Sequence, residues 1–231
     1  MKILRVKADV EAIFKKRLNK FLGIVEIEGI EEKVHIHDPG RLEELLYSGN
    51  KVLLKNATNP LRKTKRDIVA AQNNDKWVFV HSGYHGKIAY NILKSDISPF
   101  GKLDEIIPEV NFDGTRIDFL LKKDDRRIAV EVKGCTLSQN NVALFPDAPT
   151  LRGTRHLQKL IELLNKGFEC AVIILIFREE SKYFTPNEKT DKNFADIFWE
   201  AVKRGVKVFP ILLRYDGENI FYLGRINLKG G

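Results

Sequence analysis

Residues 115–134 read TRIDFLLKKDDRRIAVEVKG, two runs of alternating side chains joined by a charged turn, and the rest of the chain can be placed around them. Strand side chains alternate with period two, so Ile117, Phe119 and Leu121 share one face while Arg116, Asp118 and Leu120 share the other. In the second run Ile128, Val130 and Val132 form the apolar face and Ala129, Glu131 and Lys133 the opposite one. A turn centred on Asp124-Asp125 pairs positions whose numbers sum to about 249. Asp118 is then set across from Glu131, with roughly 5 Å between Cβ atoms. Opposed carboxylates repel unless a cation lies between them, which points to a divalent metal on Asp118 and Glu131. Oxygen ligands without paired Cys or His favour Mg²⁺ or Mn²⁺. Lys133, next along that face, is placed to stabilise an activated water or the charge on a phosphate. Glu109 is a further ligand or a hydrogen-bond partner for metal-bound water. The same pattern also suits an ordinary hairpin with one charged, solvated face.

Outward from this hairpin the order is α/β. Helices are expected near 87–95, 150–166 and 191–204, and strands near 107–112, 115–122, 127–134, 169–177 and 206–213. The run CAVIILIF, residues 170–177, is apolar on both faces, as a central strand covered by helices should be. Thr150 is the expected N-cap of the second helix, whose Arg152, Arg155, His156 and Lys159 suit either phosphate contact or a solvated face.

The first 85 residues read differently. Strands are expected near 4–17, 21–28, 33–37, 51–56, 67–72 and 76–82, with a short helix at 41–46, an order that suggests an OB-like barrel. Two domains follow from this reading, 1–85 and 86–231. The clusters Lys15-Lys16-Arg17 and Arg62-Lys63 with Lys65-Arg66 fit phosphate contacts in a basic groove, and equally fit charges that protect strand edges. His35-x-His37 puts two rings on one strand face, a geometry zinc uses, but no third ligand is evident nearby, so zinc is set aside.

The chain has 231 residues with 39 Lys and Arg against 31 Asp and Glu, a formal net charge of +8 that favours polyanionic partners. The excess is denser at the front, net +5 over residues 1–85 and +3 over the remainder. Charged residues make up 30% of the sequence and Met occurs once, a balance resembling heat-adapted proteins rich in ion pairs. No run approaches the roughly 20 apolar residues of a membrane span, and a cytoplasmic protein is expected. Cys135 and Cys170 read as reduced structural thiols.

An Asp at a strand end followed by Glu-x-Lys on the next strand resembles the PD-(D/E)xK nuclease superfamily. The wider context is similar to one family in detail, the sugar fermentation stimulation protein A family. EVNFDGTRID (109–118) and EVKGCTL (131–137) carry the first part of that resemblance. Phe145-Pro146-Asp147-Ala148, Thr150, Arg152-Gly153 and His156-Leu157 resemble the family's FPDA-x-T-x-RG-x-x-HL signature. Phe184-Thr185-Pro186, Asp191, Phe194-Ala195 and the stretches 35–40 and 59–63 extend it over nearly the whole chain. Two positions depart: Ile117 precedes Asp118 where the motif has Pro, and Asp38 stands where the family often has Asn. Pro146-Asp147 follows Glu131-x-Lys133, so it is read as loop.

The resemblance implies an OB-like domain, a nuclease-like mixed-sheet α/β domain, DNA binding and a loosely assigned role in sugar utilisation. The expected DNA-contacting set is Lys15, Lys16, Arg17, Arg41, Arg62, Lys63, Lys65, Arg66, Arg116, Arg152, Arg155 and His156. Sequence-tolerant DNA binding with a metal site is the favoured function; an active Mg²⁺- or Mn²⁺-dependent deoxyribonuclease is the alternative. An oligosaccharide-binding barrel is a weaker third, and a small-molecule substrate is not expected.

Overall fold

Residues 1–59 and 61–230 are described by a computed structural model. Pro60, within the 59–63 stretch, and Gly231 lie outside them. The first half contains β1 (Lys2–Arg5), β2 (Val10–Asn19), β3 (Leu22–Ile27), β4 (Ile30–His35), β5 (Lys51–Asn56), β6 (Arg66–Asn73) and β7 (Lys76–Phe79). Then come α1 (His85–Leu93), β8 (Glu105–Phe112), β9 (Thr115–Lys123), β10 (Arg126–Cys135), β11 (Leu137–Gln139), β12 (Val142–Phe145) and α2 (Leu151–Asn165). The chain continues through β13 (Glu169–Ile176), β14 (Tyr183–Pro186), α3 (Lys192–Arg204), β15 (Lys207–Tyr215), β16 (Asn219–Arg225) and β17 (Asn227–Leu228).

Strands β4-β3-β2-β5-β6 pair in that order, and a parallel contact between β4 and β6 at His35↔Asp67 closes them into a five-stranded OB barrel. Beyond β6 the sheet runs through β7 to β15-β13-β10-β9-β8, with β13 parallel to both neighbours and β8–β10 antiparallel. Every residue from Cys170 to Ile176 on β13 is buried. Ala171, Ile173 and Leu175 pack on the face that α1 and the barrel cover. Cys170, Val172, Ile174 and Ile176 pack on the face covered by α2 and α3. Each such large aliphatic side chain contributes on the order of 1.5–3 kcal/mol, which explains why both faces must be covered. The first core is continuous from Phe14 and Val52 in the barrel to Phe119 on β9 and Ile211 on β15.

Both long helices start on side-chain caps. Thr150 accepts from Gly153 N–H at 3.0 Å, as its sequence position predicts, and Asp191 accepts from Phe194 N–H at 3.0 Å. The other oxygen of Asp191 accepts from Thr150 N–H at 2.8 Å, so one carboxylate ties the two helix starts together. Gly205 ends α3 in the left-handed conformation, φ 109°.

Three expectations change. The strand at 4–17 is two strands, because its ends have different partners: β1 pairs with β16, whereas β2 pairs with β3 and β5. No helix forms at 41–46. Leu42 has φ 53°, its N–H donates to Asp147 Oδ2 at 3.2 Å, and only one turn follows, closed by Leu46 N–H to Leu42 O at 2.7 Å. Leu42 and Leu45 are fully buried, so the apolar spacing at 41–46 reflects a plug in the core and not a helix face. A second, four-stranded sheet, β11-β12-β14-β17, was not foreseen. Its strands have only two to four residues, too few to show a period.

Candidate metal centre and basic groove

The register of β9 with β10 is the one the turn predicts: Ile128↔Leu121, Ala129↔Leu120 and Val130↔Phe119. The ladder stops there. Asp118 turns its Oδ2 to accept the Val132 N–H at 2.7 Å, and the β8–β9 pairing omits the 109/118 pair, where Glu109 has φ 55°. Strand alternation breaks at this point. Ile117 packs with the α2 and α3 side and not with Phe119 and Leu121, contrary to the expected face.

Glu131 is 1% exposed. Its Oε1 accepts from Lys133 Nζ and meets Nδ1 of His156 on α2. Nε2 of that ring accepts from Arg152 Nε at 3.3 Å, which assigns the proton to Nδ1. Glu131 Oε2 is buried without any partner among the described residues. Burial pushes the Glu131 carboxyl up, but Lys133 and His156 outweigh it and hold the group below its ordinary range. Asp118 goes the other way, up to about 6, chiefly through burial and then through the charge on Glu131. A cation between the two would relieve both the repulsion and the unpartnered oxygen, so the residues fit a hard divalent ion.

Two clefts lie close by, one reaching Asp118 and the other reaching His156, the partner of Glu131. One of about 330 Å³ is lined by Lys87, Tyr90, Glu109 and Asp118. The other, about 260 Å³, is lined by Gly114, Thr115, Arg116, Arg152, Arg155 and His156. Glu109 is exposed and faces Arg116 at 3.5 Å. Of the residues expected to contact DNA, Arg116, Arg152, Arg155 and His156 are brought together, but His156 is a buried partner of Glu131.

The barrel set is dispersed. Arg17 spends its guanidinium on the carbonyls of Gly40, Arg41 and Lys20 at 2.5–2.7 Å, and Arg62 holds Asp67 with bonds of 3.0 and 2.5 Å. Arg66 pairs with Glu32, and Lys15 pairs with Glu26 at 2.8 Å. Lys16, Arg41, Lys63 and Lys65 stay exposed and make no ion pair among the described residues. Asp147 is outside any strand and its carboxylate lies where a Cβ on Gly40 would stand, 2.3 Å away, so it braces the barrel loop.

A second cluster was missed. The partner that His35-x-His37 lacks in sequence is supplied by Asp67 and His81, which the barrel closure brings to His37.

Two family models cover the chain: the sugar fermentation stimulation protein N-terminal OB domain matches residues 16–80, and the sugar fermentation stimulation protein RE domain matches residues 83–219. The chain belongs to the sugar fermentation stimulation protein family. A homolog from Methanococcoides burtonii is 46% identical over 233 residues, covering 98% of this chain and 94% of that protein. One from Thermotoga petrophila is 44% identical over 215 residues, 93% of each. Among solved structures, Pyrococcus furiosus SfsA in complex with Ca²⁺ superposes with a TM-score of 0.93 at 26% identity over the full length of both chains. Among the described residues, no helix is long and apolar enough to cross a membrane.

Proposed function

We propose that this family member is a cytoplasmic, sequence-tolerant DNA-binding protein that holds Mg²⁺ or Mn²⁺ on Asp118 and Glu131. The observation that supports this reading most is the buried, unpartnered Oε2 of Glu131 beside a groove lined by Arg116, Arg152 and Arg155. An unpartnered carboxylate oxygen at that depth costs several kcal/mol in the absence of a cation, whereas surface arginines favour a phosphate chain. The Ca²⁺ named for the Pyrococcus furiosus relative is likewise a hard, oxygen-seeking ion. Arginines lining a cleft suit phosphate oxygens, so the contacts are assigned to the DNA backbone. A part in regulating sugar utilisation rests on the family's name alone.

Lys133 favours a second reading, metal-dependent cleavage of DNA. Its ammonium lies on Glu131, where it can neutralise charge growing on a phosphate under attack. The metal, when bound, would supply Lewis-acid polarisation of that phosphate. Lys133 and His156 hold Glu131 ionised, and Val132 N–H orients Asp118.

Labelled duplex and single-stranded DNA, incubated with wild type and Glu131→Gln in Mg²⁺, Mn²⁺ or EDTA, test both readings on one gel. Retention that falls with salt supports DNA binding; no retention at low salt refutes it. Metal-dependent cutting lost in the variant adds the nuclease reading, and retention without cutting under every metal removes it.

A further inference from the structure

The barrel closes through His35↔Asp67, and that pairing builds a cluster the acidic site does not use. His37 lies two residues past His35, so its ring falls on the same side and reaches Asp67 on β6. His81, two residues beyond β7, arrives from the adjacent strand. Nε2 of His37 stands 3.4 Å from Asp67 Oδ2, and Nε2 of His81 stands 3.8 Å from the same oxygen. The two rings stack with centroids 3.6 Å apart. Among the described residues, His37 Nε2 and His81 Nδ1 are buried without a hydrogen-bond partner, and the His81 side chain is only 8% exposed.

The loop that follows β7 packs closely on the rings. A Cβ on Gly83 would stand 3.0 Å from His81 Cε1, 3.2 Å from its Nδ1 and 3.7 Å from His37 Nδ1, so the loop is bare where the rings sit. Ser82 Oγ donates to His37 O at 2.7 Å and fixes the strand end. Arg62 orients the carboxylate but takes only one acceptor site on Oδ2, leaving the other for the rings' side.

We infer that His37, Asp67 and His81 form a second metal site, separate from Asp118 and Glu131, which takes a borderline transition ion of the Zn²⁺ class. Bonds of about 2.05 Å in a tetrahedron place ligand atoms about 3.3 Å apart. The two histidine-to-carboxylate edges, 3.4 and 3.8 Å, are within about 0.5 Å of that length, and one ligand atom from each of the three residues lies within 4.8 Å of the others before an ion draws the groups in. Two imidazoles and one carboxylate suit such an ion, while Ca²⁺ and Mg²⁺ require a shell of oxygens this trio does not offer. Three protein ligands leave a fourth position. The His37 side chain is 26% exposed, so ion and fourth ligand enter from solvent on that side.

The test titrates EDTA-stripped, full-length protein with Co²⁺ and Zn²⁺ near neutral pH. Wild type should take up Co²⁺ with the intense visible bands of a tetrahedral ion, bleached by Zn²⁺ and unaffected by excess Ca²⁺ or Mg²⁺. His37→Ala and Asp67→Asn should lose the bands and weaken Zn²⁺ by more than the roughly 10–100-fold that outer-shell changes cost. Glu131→Gln should keep them, which separates this site from the acidic one. His37→Ala is the variant least bound up with packing, since its ring is at the exposed edge. Absence of tetrahedral bands in folded wild type overturns the inference, as does full Zn²⁺ affinity in folded His37→Ala.

Discussion

In the metal-free protein, Asp118→Asn should raise stability at high pH and not at low pH. The carboxyl is raised from 3.8 to about 6 in the folded chain, mainly by burial and secondly by Glu131. A raised folded value means that the stability tied to the protonated form is fully present below the unfolded value near 3.8. It is lost as pH rises through about 6. Two units at about 1.36 kcal/mol each give a cost of about 2–3 kcal/mol above that window, somewhat reduced because Asp118 is not fully buried. Asn has the same shape, can still accept the Val132 N–H through its carbonyl oxygen, and carries no charge. Urea unfolding of EDTA-stripped protein at pH 4 and pH 8 should therefore show the variant gaining about 2 kcal/mol at the higher pH relative to the lower. Adding Mn²⁺ should then stabilise wild type, by about 2.7 kcal/mol at a hundred times its Kd, and leave Asp118→Asn behind. An equal difference between the two proteins at both pH values would refute the electrostatic argument.

Three further outcomes follow from particular contacts. Gly134→Ala would set a Cβ 2.0 Å from Cε1 of His85, a ring that burial holds near pKa 3 and hence neutral, so a loss of about 1–3 kcal/mol is expected in thermal unfolding. Asp191→Ala removes the cap of α3 and the acceptor for Thr150 N–H together, so it should cost about 2 kcal/mol and lower Tm by about 4–8 °C. Arg155→Ala should weaken DNA binding for every sequence alike and reduce the slope of log K against log salt by about 0.9, checked by titrations at several salt concentrations.

The hairpin at 115–134 was legible because a short turn fixes register: once Asp124-Asp125 is the turn, every pair down to Val130↔Phe119 follows. β13 was legible because an unbroken apolar run of that length has few other uses, and α2 because Thr150 marks its start, whereas the capping role of Asp191 at α3 emerged only from the structure. The helix expected at 41–46 failed for a tertiary reason, a carboxylate 105 residues away holding Leu42 in a left-handed turn. In the site, Lys133 beside Glu131 follows from strand period, but His156 as the second holder of Glu131 does not. Its position depends on how α2 crosses the sheet. Asp67 and His81 were invisible as partners of His37, since only closure of the barrel joins strands so far apart in sequence.

Mn²⁺ binding to the EDTA-stripped protein, followed through the resonance of the free ion, reads out the Asp118 and Glu131 site itself. Wild type should bind Mn²⁺ at a site that both Asp118→Asn and Glu131→Gln lose while His37→Ala retains it. Identical isotherms for wild type, Asp118→Asn and Glu131→Gln would mean that these two carboxylates hold no metal.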